Sequence, residues 1–135
     1  MKGVVVTTQN EMYVKDFAQP LYETIGKEVG GWIEVVHPVG LKRAPSNLCF
    51  VCNEEGLMHN LPLNLFGSVL YGFHIHGNPI VGNIVGNIVF MREGMVDGEP
   101  DFVELTDADI EWIKKLAHEV SGGEIREVEA GEPDA

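Results

Sequence analysis

Two histidines two apart, His74 and His76, and two cysteines three apart, Cys49 and Cys52, are the residues of this sequence best suited to hold a metal. Cys2His2 is a standard zinc set. The local pattern argues against it. Zinc-binding CxxC pairs sit on turns, whereas "LCFVC" reads as a strand, where residues three apart project from opposite faces. His74 and His76 would share a strand face, yet no carboxylate lies in the same segment. Cys49, Cys52, His74 and His76 therefore stay a minor alternative, and no metal is expected. A redox CxxC opens a helix, whose N-terminus lowers the thiol pKa. Here "NEEG" follows, acidic and turn-like.

Catalytic and cofactor motifs leave little trace. "GNIVGN" matches neither GxGxxG nor a phosphate-binding loop, and "FGSVLYG" resembles a nucleophile elbow only superficially. No cofactor is expected. Glu54 or Glu55 could act as a general base, although adjacent acids in a turn are ordinarily solvated. Residues able to read a small ligand are better represented: Trp32, His37, Arg43, Asn53, Asn64, Phe73, His74, His76, Asn83, Asn87 and Arg92. Arg43 and Arg92 are the only Arg among the first 92 positions. Either could pair with a phosphate, and a surface ion pair is the ordinary use of such a residue.

Positioning these groups falls to elements that the patterning predicts. "KGVVVTT" reads as a first strand. A helix is predicted within "EMYVKDFAQPLYETIGKEVGG", with Val14, Phe17, Leu21 and Ile25 on one stripe and a stop at Gly30-Gly31. Pro20 must either kink it or start it. "WIEVVHP" and "LCFVCNEEG" are strands with the loop "VGLKRAPSN" between them, and "LMHNLPLNLFGSVL" reads as an irregular apolar connector. "NPIVGNIVGNIVFM" alternates as a strand. Ile80, Gly82, Ile84, Gly86, Ile88 and Phe90 fall on one face, with Val81, Asn83, Val85, Asn87, Val89 and Met91 on the other. Asn83 and Asn87 would then project together, ~13 Å apart. "LTDADIEWIKKLAHEV" is a helix capped by Thr106 with Asp109, ending at Gly122-Gly123. The order implies an α+β fold, a mostly antiparallel sheet with one N-terminal and one C-terminal helix.

Length and charge bound the rest. The chain has 135 residues, enough for one core. A single domain is expected over residues 1–120, with an acidic, mobile tail over 121–135. No apolar run approaches the ~20 residues of a membrane span. The start lacks a signal-peptide pattern, and two Cys fit a reducing cytosol. The net charge is −12, and it is uneven. Residues 1–92 carry seven acids against six Lys/Arg, while residues 93–135 carry fourteen against three. Nucleic acid would repel such a surface. The acidic end reads first as a solvated helix face and tail, and second as a DNA-like mimic facing a basic partner.

Several segments together carry a resemblance: "MKGVVV", "GGWIEVVHP", "LCFVCNEEG" followed by "LPLN", "GNIVFM" and "DFVELTDADIEWI". In order and spacing they resemble the uncharacterised family called domain of unknown function 3846. That family occurs in phages, plasmids and integrative elements of bacteria, sometimes within larger anti-restriction-type proteins. The resemblance spans roughly Met1 to Val120. It marks Trp32, Glu34, Asn53, Glu55, Gly56, Leu61, Pro62 and Asn64 as recurrent positions. Members often place Arg after the Asn of "LPxN", where this chain has Leu65. The resemblance implies an accessory protein of a mobile element, one that blunts a host defence.

The expectation is a non-enzymatic binding protein in the bacterial host cytosol, forming a homo-oligomer. It would sequester a small, nucleotide-like immune signal through Trp32, Arg43, Asn53, Asn64, Phe73, His74, His76, Asn83, Asn87 and Arg92. Neither nucleic acid nor membrane is expected as a partner. The alternatives are an acidic protein–protein inhibitor and a small hydrolase using Glu54 or Glu55 with the histidines.

Overall fold

The computed structural model describes residues 1–72 and 83–130. Among these residues seven strands form one sheet in the order β3-β4-β5-β1-β2-β7, with β6 also pairing to β5. They are β1 (Lys2–Val6), β2 (Glu11–Asp16), β3 (Ile33–Val36), β4 (Leu48–Asn53), β5 (Ile88–Val96), β6 (Glu99–Val103) and β7 (Arg126–Glu127). Only β2–β7 is parallel. Helices α1 (Leu21–Val29), α2 (Leu65–Gly72) and α3 (Asp107–Ser121) complete the α+β fold. The expectation of one N-terminal and one C-terminal helix is corrected by α2, which sits mid-chain.

The central strands β1, β4 and the first half of β5 are buried on both faces, so the sheet is the middle of three layers. Val4, Val6, Leu48, Phe50, Cys52, Ile88 and Phe90 pack with Phe66 and Leu70 of α2 and with Ile110, Ile113 and Ala117 of α3. Val5, Cys49, Val51, Val89 and Met91 pack on the other side against Phe17 and against Ile25 and Val29 of α1. Strand β5 is the axis. Phe90 pairs with Phe50 on one edge and Val4 on the other, and Arg92 pairs with Leu48 and Val103. Strands β1 and β6 therefore follow one another along the same edge of β5.

Three local expectations are corrected. The segment Glu11–Asp16 is strand rather than helix: Thr7 N–H donates to Glu11 O at 2.9 Å, Asn10 takes φ 61°, and the chain turns back on β1. Val14 then faces one core and Phe17 the other, so their helical spacing was coincidental. The helix begins beyond Pro20, the second of the two options its sequence left open. "LMHNLPLNLFGSVL" is not wholly irregular, because Asn64 Oδ1 accepts from Gly67 N–H at 3.0 Å and starts α2 as an N-cap does. Finally, the alternating strand was expected through Ile80, Val81 and Gly82, which lie outside the described residues; among the described ones it begins only at Ile88. Gly86 has φ +79°, and Val85 makes just an isolated bridge with Leu63.

The C-terminal helix has the expected capping box, in which Thr106 and Asp109 exchange hydrogen bonds of 3.0 and 3.1 Å. After Gly122, Ile125 is buried and Arg126–Glu127 add to β2, so the chain remains folded past residue 121. Among the described residues no helix is long and apolar enough to cross a membrane.

Candidate functional site

A cleft of about 320 Å³ opens where β3, β4 and the 83–85 segment meet. Its polar lining is Glu34, Asn53, Glu54, Tyr71 and Asn83, and its apolar lining includes Val36, Leu57, Ile84 and Val85. Among the described residues no Lys or Arg lines it. Two carboxylates, two carboxamides and a phenol around apolar side chains suit a small ligand that presents hydrogen-bond donors. The same lining disfavours a phosphate, whose charge would meet Glu34 and Glu54.

The wall is held from below by buried polar groups. Ser68 Oγ donates to Ile84 O at 3.2 Å and accepts from Ile84 N–H at 2.9 Å. Asn64 is 1% exposed; its Nδ2 donates to Val6 O and Gly86 O, both at 3.0 Å. Gly86 N–H donates to Pro62 O at 2.8 Å. A Cβ on Gly56 would come within 2.6 Å of Val85, so glycine lets the 54–57 turn close on the wall. At the other rim, Asn53 Oδ1 accepts from Glu55 N–H at 2.8 Å while its Nδ2 donates to Val29 O at 3.3 Å. Asn53 thus shapes the turn after β4 and ties it to α1.

The nominated residues are distributed unevenly. Asn53 and Asn83 meet in the cleft. Asn64 lies beneath it as a structural brace. Asn87 accepts from Thr8 N–H at 3.2 Å, so it does not project beside Asn83 as the strand reading required. Arg92 is committed to the fold, donating to Glu104 O at 3.2 Å with its Nε 3.9 Å from Asp109. Arg43 stands exposed in the loop before β4, and Trp32, 72% exposed, flanks a shallow groove beside α1. Phe73, His74 and His76 lie outside the described residues. Sequence reasoning missed Glu34, Tyr71 and Ser68 as lining or support. Glu34 carried a signal as a recurrent position in the resemblance; Tyr71 became visible only with α2.

Cys49 and Cys52 are buried in opposite cores, as a strand requires, and burial raises the pKa of both, that of Cys52 to about 11. The two thiols cannot share one metal in this arrangement. Among the described residues no group of three or more His, Cys, Asp or Glu could hold a metal ion. Glu55 Oε2 lies 3.3 Å from His59 Nε2 across one turn, an exposed pair outside the cleft lining. A larger cleft of about 650 Å³ separates the 37–48 segment from the β5–β6 hairpin. Its polar groups are largely engaged already: His37 pairs with Glu93, and Ser46 Oγ donates to Asp109 at 2.6 Å.

Fold and cleft together define an α+β domain in which a central antiparallel sheet carries a small polar cleft at one end. Its sequence matches the family described as domain of unknown function (DUF3846) over residues 1–118, and the chain belongs to that family. No curated protein and no solved structure gives a significant match.

Proposed function

We propose that this chain binds a small molecule in the β3–β4 cleft without turning it over, as a mobile-element protein would to withdraw an immune signal in the bacterial cytosol. The observation that carries the reading is the lining itself. Glu34, Glu54, Asn53, Asn83 and Tyr71 converge on apolar side chains in a volume of about 320 Å³. Acceptors dominate, so the ligand is recognised through its donors: the amino edge of a nucleobase, or an amine. For a nucleotide-derived signal, the base would occupy the cleft and the phosphates would remain outside. Binding without turnover is favoured because the Cys52 thiol in the described lining is buried and its pKa is raised to about 11, which keeps it protonated and unreactive.

Calorimetry against amino-bearing nucleosides, cyclic nucleotides, ADP-ribose derivatives and polyamines tests this reading. A binder should emerge whose affinity falls at least tenfold in Glu34→Ala or Asn83→Ala, both exposed positions. Chromatography should return the bound compound intact. Absence of any binder across the panel sinks the reading.

One observation favours a second reading, an acidic protein–protein inhibitor. The tip of the β5–β6 hairpin is exposed from Met95 to Asp101 and carries Asp97, Glu99 and Asp101 beside Met95 and Val96. Neutralising those three acids would abolish such inhibition and leave binding in the cleft unchanged.

A further inference from the structure

The sheet has three outer edges among the described residues, and they differ in how they resist pairing with another strand. Strand β7 is two residues long and charged, Arg126–Glu127. Strand β6 carries Glu99, Pro100 and Asp101. Charges, proline and shortness are the usual protections of an edge. Strand β3, "IEVV", has no proline and a single charge, Glu34. Residues 29–41 hold no other charged side chain apart from the titratable His37. Next to this edge stand exposed Trp32 and Tyr22, 72% and 62% accessible, and Val35 is 37% accessible.

The direction of the unused backbone groups can be read from the ladder. Glu54 N–H donates to Trp32 O at 2.8 Å, and β3 pairs Ile33 with Asn53 through Val36 with Phe50. Antiparallel bonding alternates, so Trp32, Glu34 and Val36 bond towards β4 while Ile33 and Val35 aim N–H and C=O outward. An outward edge of this kind is completed by another extended strand.

We infer that the strand completing it is β3 of a second copy, in an isologous antiparallel pair centred on Val35. Charge and register select this occupant. Two chains of net charge −12 repel one another, and of the three edges β3 brings the fewest charges to a seam, Glu34 alone, against two each on β6 and β7. Outward residues must face outward residues, which restricts the register to steps of two. Centring on Glu34 would set two carboxylates directly opposite, a destabilising pair. Centring on Val35 places Val35 against its own copy and Ile33 against His37. Glu34 then stands opposite Val36, with no like charges facing. Centring on Val36 leaves most of the strand unpaired.

The pairing joins the two clefts. Glu34 and Val36 both line the cleft and share one face of the sheet. In this register Glu34 of each copy lies beside Val36 of the other, so each copy contributes to the rim of the other's cleft. The dimer itself does not depend on any ligand.

Sedimentation equilibrium of the whole, ligand-free chain tests the inference. The expected mass is twice 14.9 kDa at micromolar concentration. Val35→Pro deletes only an outward donor and should give a monomer with unchanged circular dichroism. Val35→Lys should do the same by charge repulsion, and it remains informative where the proline variant fails to fold. Val35→Cys should oxidise to a covalent dimer, whereas Glu34→Cys, which is not opposite its own copy, should not. A wild-type monomer overturns the inference, as does a dimer indifferent to Val35→Lys. Equal cross-linking of the two cysteine variants overturns the register.

Discussion

At the scale of single residues, the side chains that look most like ligands in the sequence divide into braces and lining. Asn64 uses both ends of its amide on buried backbone, joining β1, the Gly86 bend and the start of α2. Replacing it with Ala strands three backbone groups, so Asn64→Ala should lose about 2–4 kcal/mol in urea unfolding. Asn83→Ala, at an exposed position, should leave stability within about 0.5 kcal/mol. The thiols give a second test. Burial raises the pKa of Cys49 and Cys52, and only the thiolate reacts. Neither should react with a disulfide reagent in the native protein at about pH 8, and both should react at once in urea.

At the scale of elements, the cap of α3 and the turn between β5 and β6 carry sharp expectations. Asp109 is fully buried, which by itself raises its pKa. Hydrogen bonds from Ser46 and Thr106 and the charge of Arg92 outweigh this and leave it below the ordinary carboxylate value. A group with a depressed native pKa stabilises the fold above its unfolded pKa, and that contribution disappears as pH falls through the native value. Stability should therefore decline below about pH 4, and Asp109→Asn should flatten that part of the profile in denaturant titrations. Thr106→Ala should cost about 1 kcal/mol. Asp97 and Gly98, at φ 52° and 79°, form the tight turn of the β5–β6 hairpin. A Cβ on Gly98 would meet nothing within 4 Å. Gly98→Ala should nonetheless cost about 1 kcal/mol, from backbone strain alone, and Gly98→Asn should cost less.

At the scale of the whole molecule, charge asymmetry is the dominant feature. Fourteen of the twenty-one acids fall after residue 92, from the β5–β6 hairpin through α3 and beyond. This repulsion acts in the folded chain more than in the expanded one, so salt should relieve it. Raising the ionic strength to about 0.2 M, where screening reaches ~7 Å, should raise the melting temperature by a few degrees. An unchanged or falling melting temperature would show that favourable ion pairs such as Lys15–Glu28 and Lys114–Glu127 outweigh the net repulsion.

Local chemistry was legible wherever a residue's neighbours in sequence are also its neighbours in space. The capping box of α3, the stops at Gly30 and Gly122, and the opposite faces of Cys49 and Cys52 needed only periodicity and backbone preference. The family and the α+β class followed from segment order. Other features depended on partners far along the chain. "EMYVKD" has apolar spacing compatible with helix, and pairing with β1 made it a strand. "VGNIVGNI" alternates as a strand should, yet Asn64, Ser68 and Pro62 draw residues 84–86 out of the sheet and bend the chain at Gly86. The cleft arises at that bend. Its residue types were written in the sequence, but long-range hydrogen bonds decided which of them would line a surface and which would be consumed in building it.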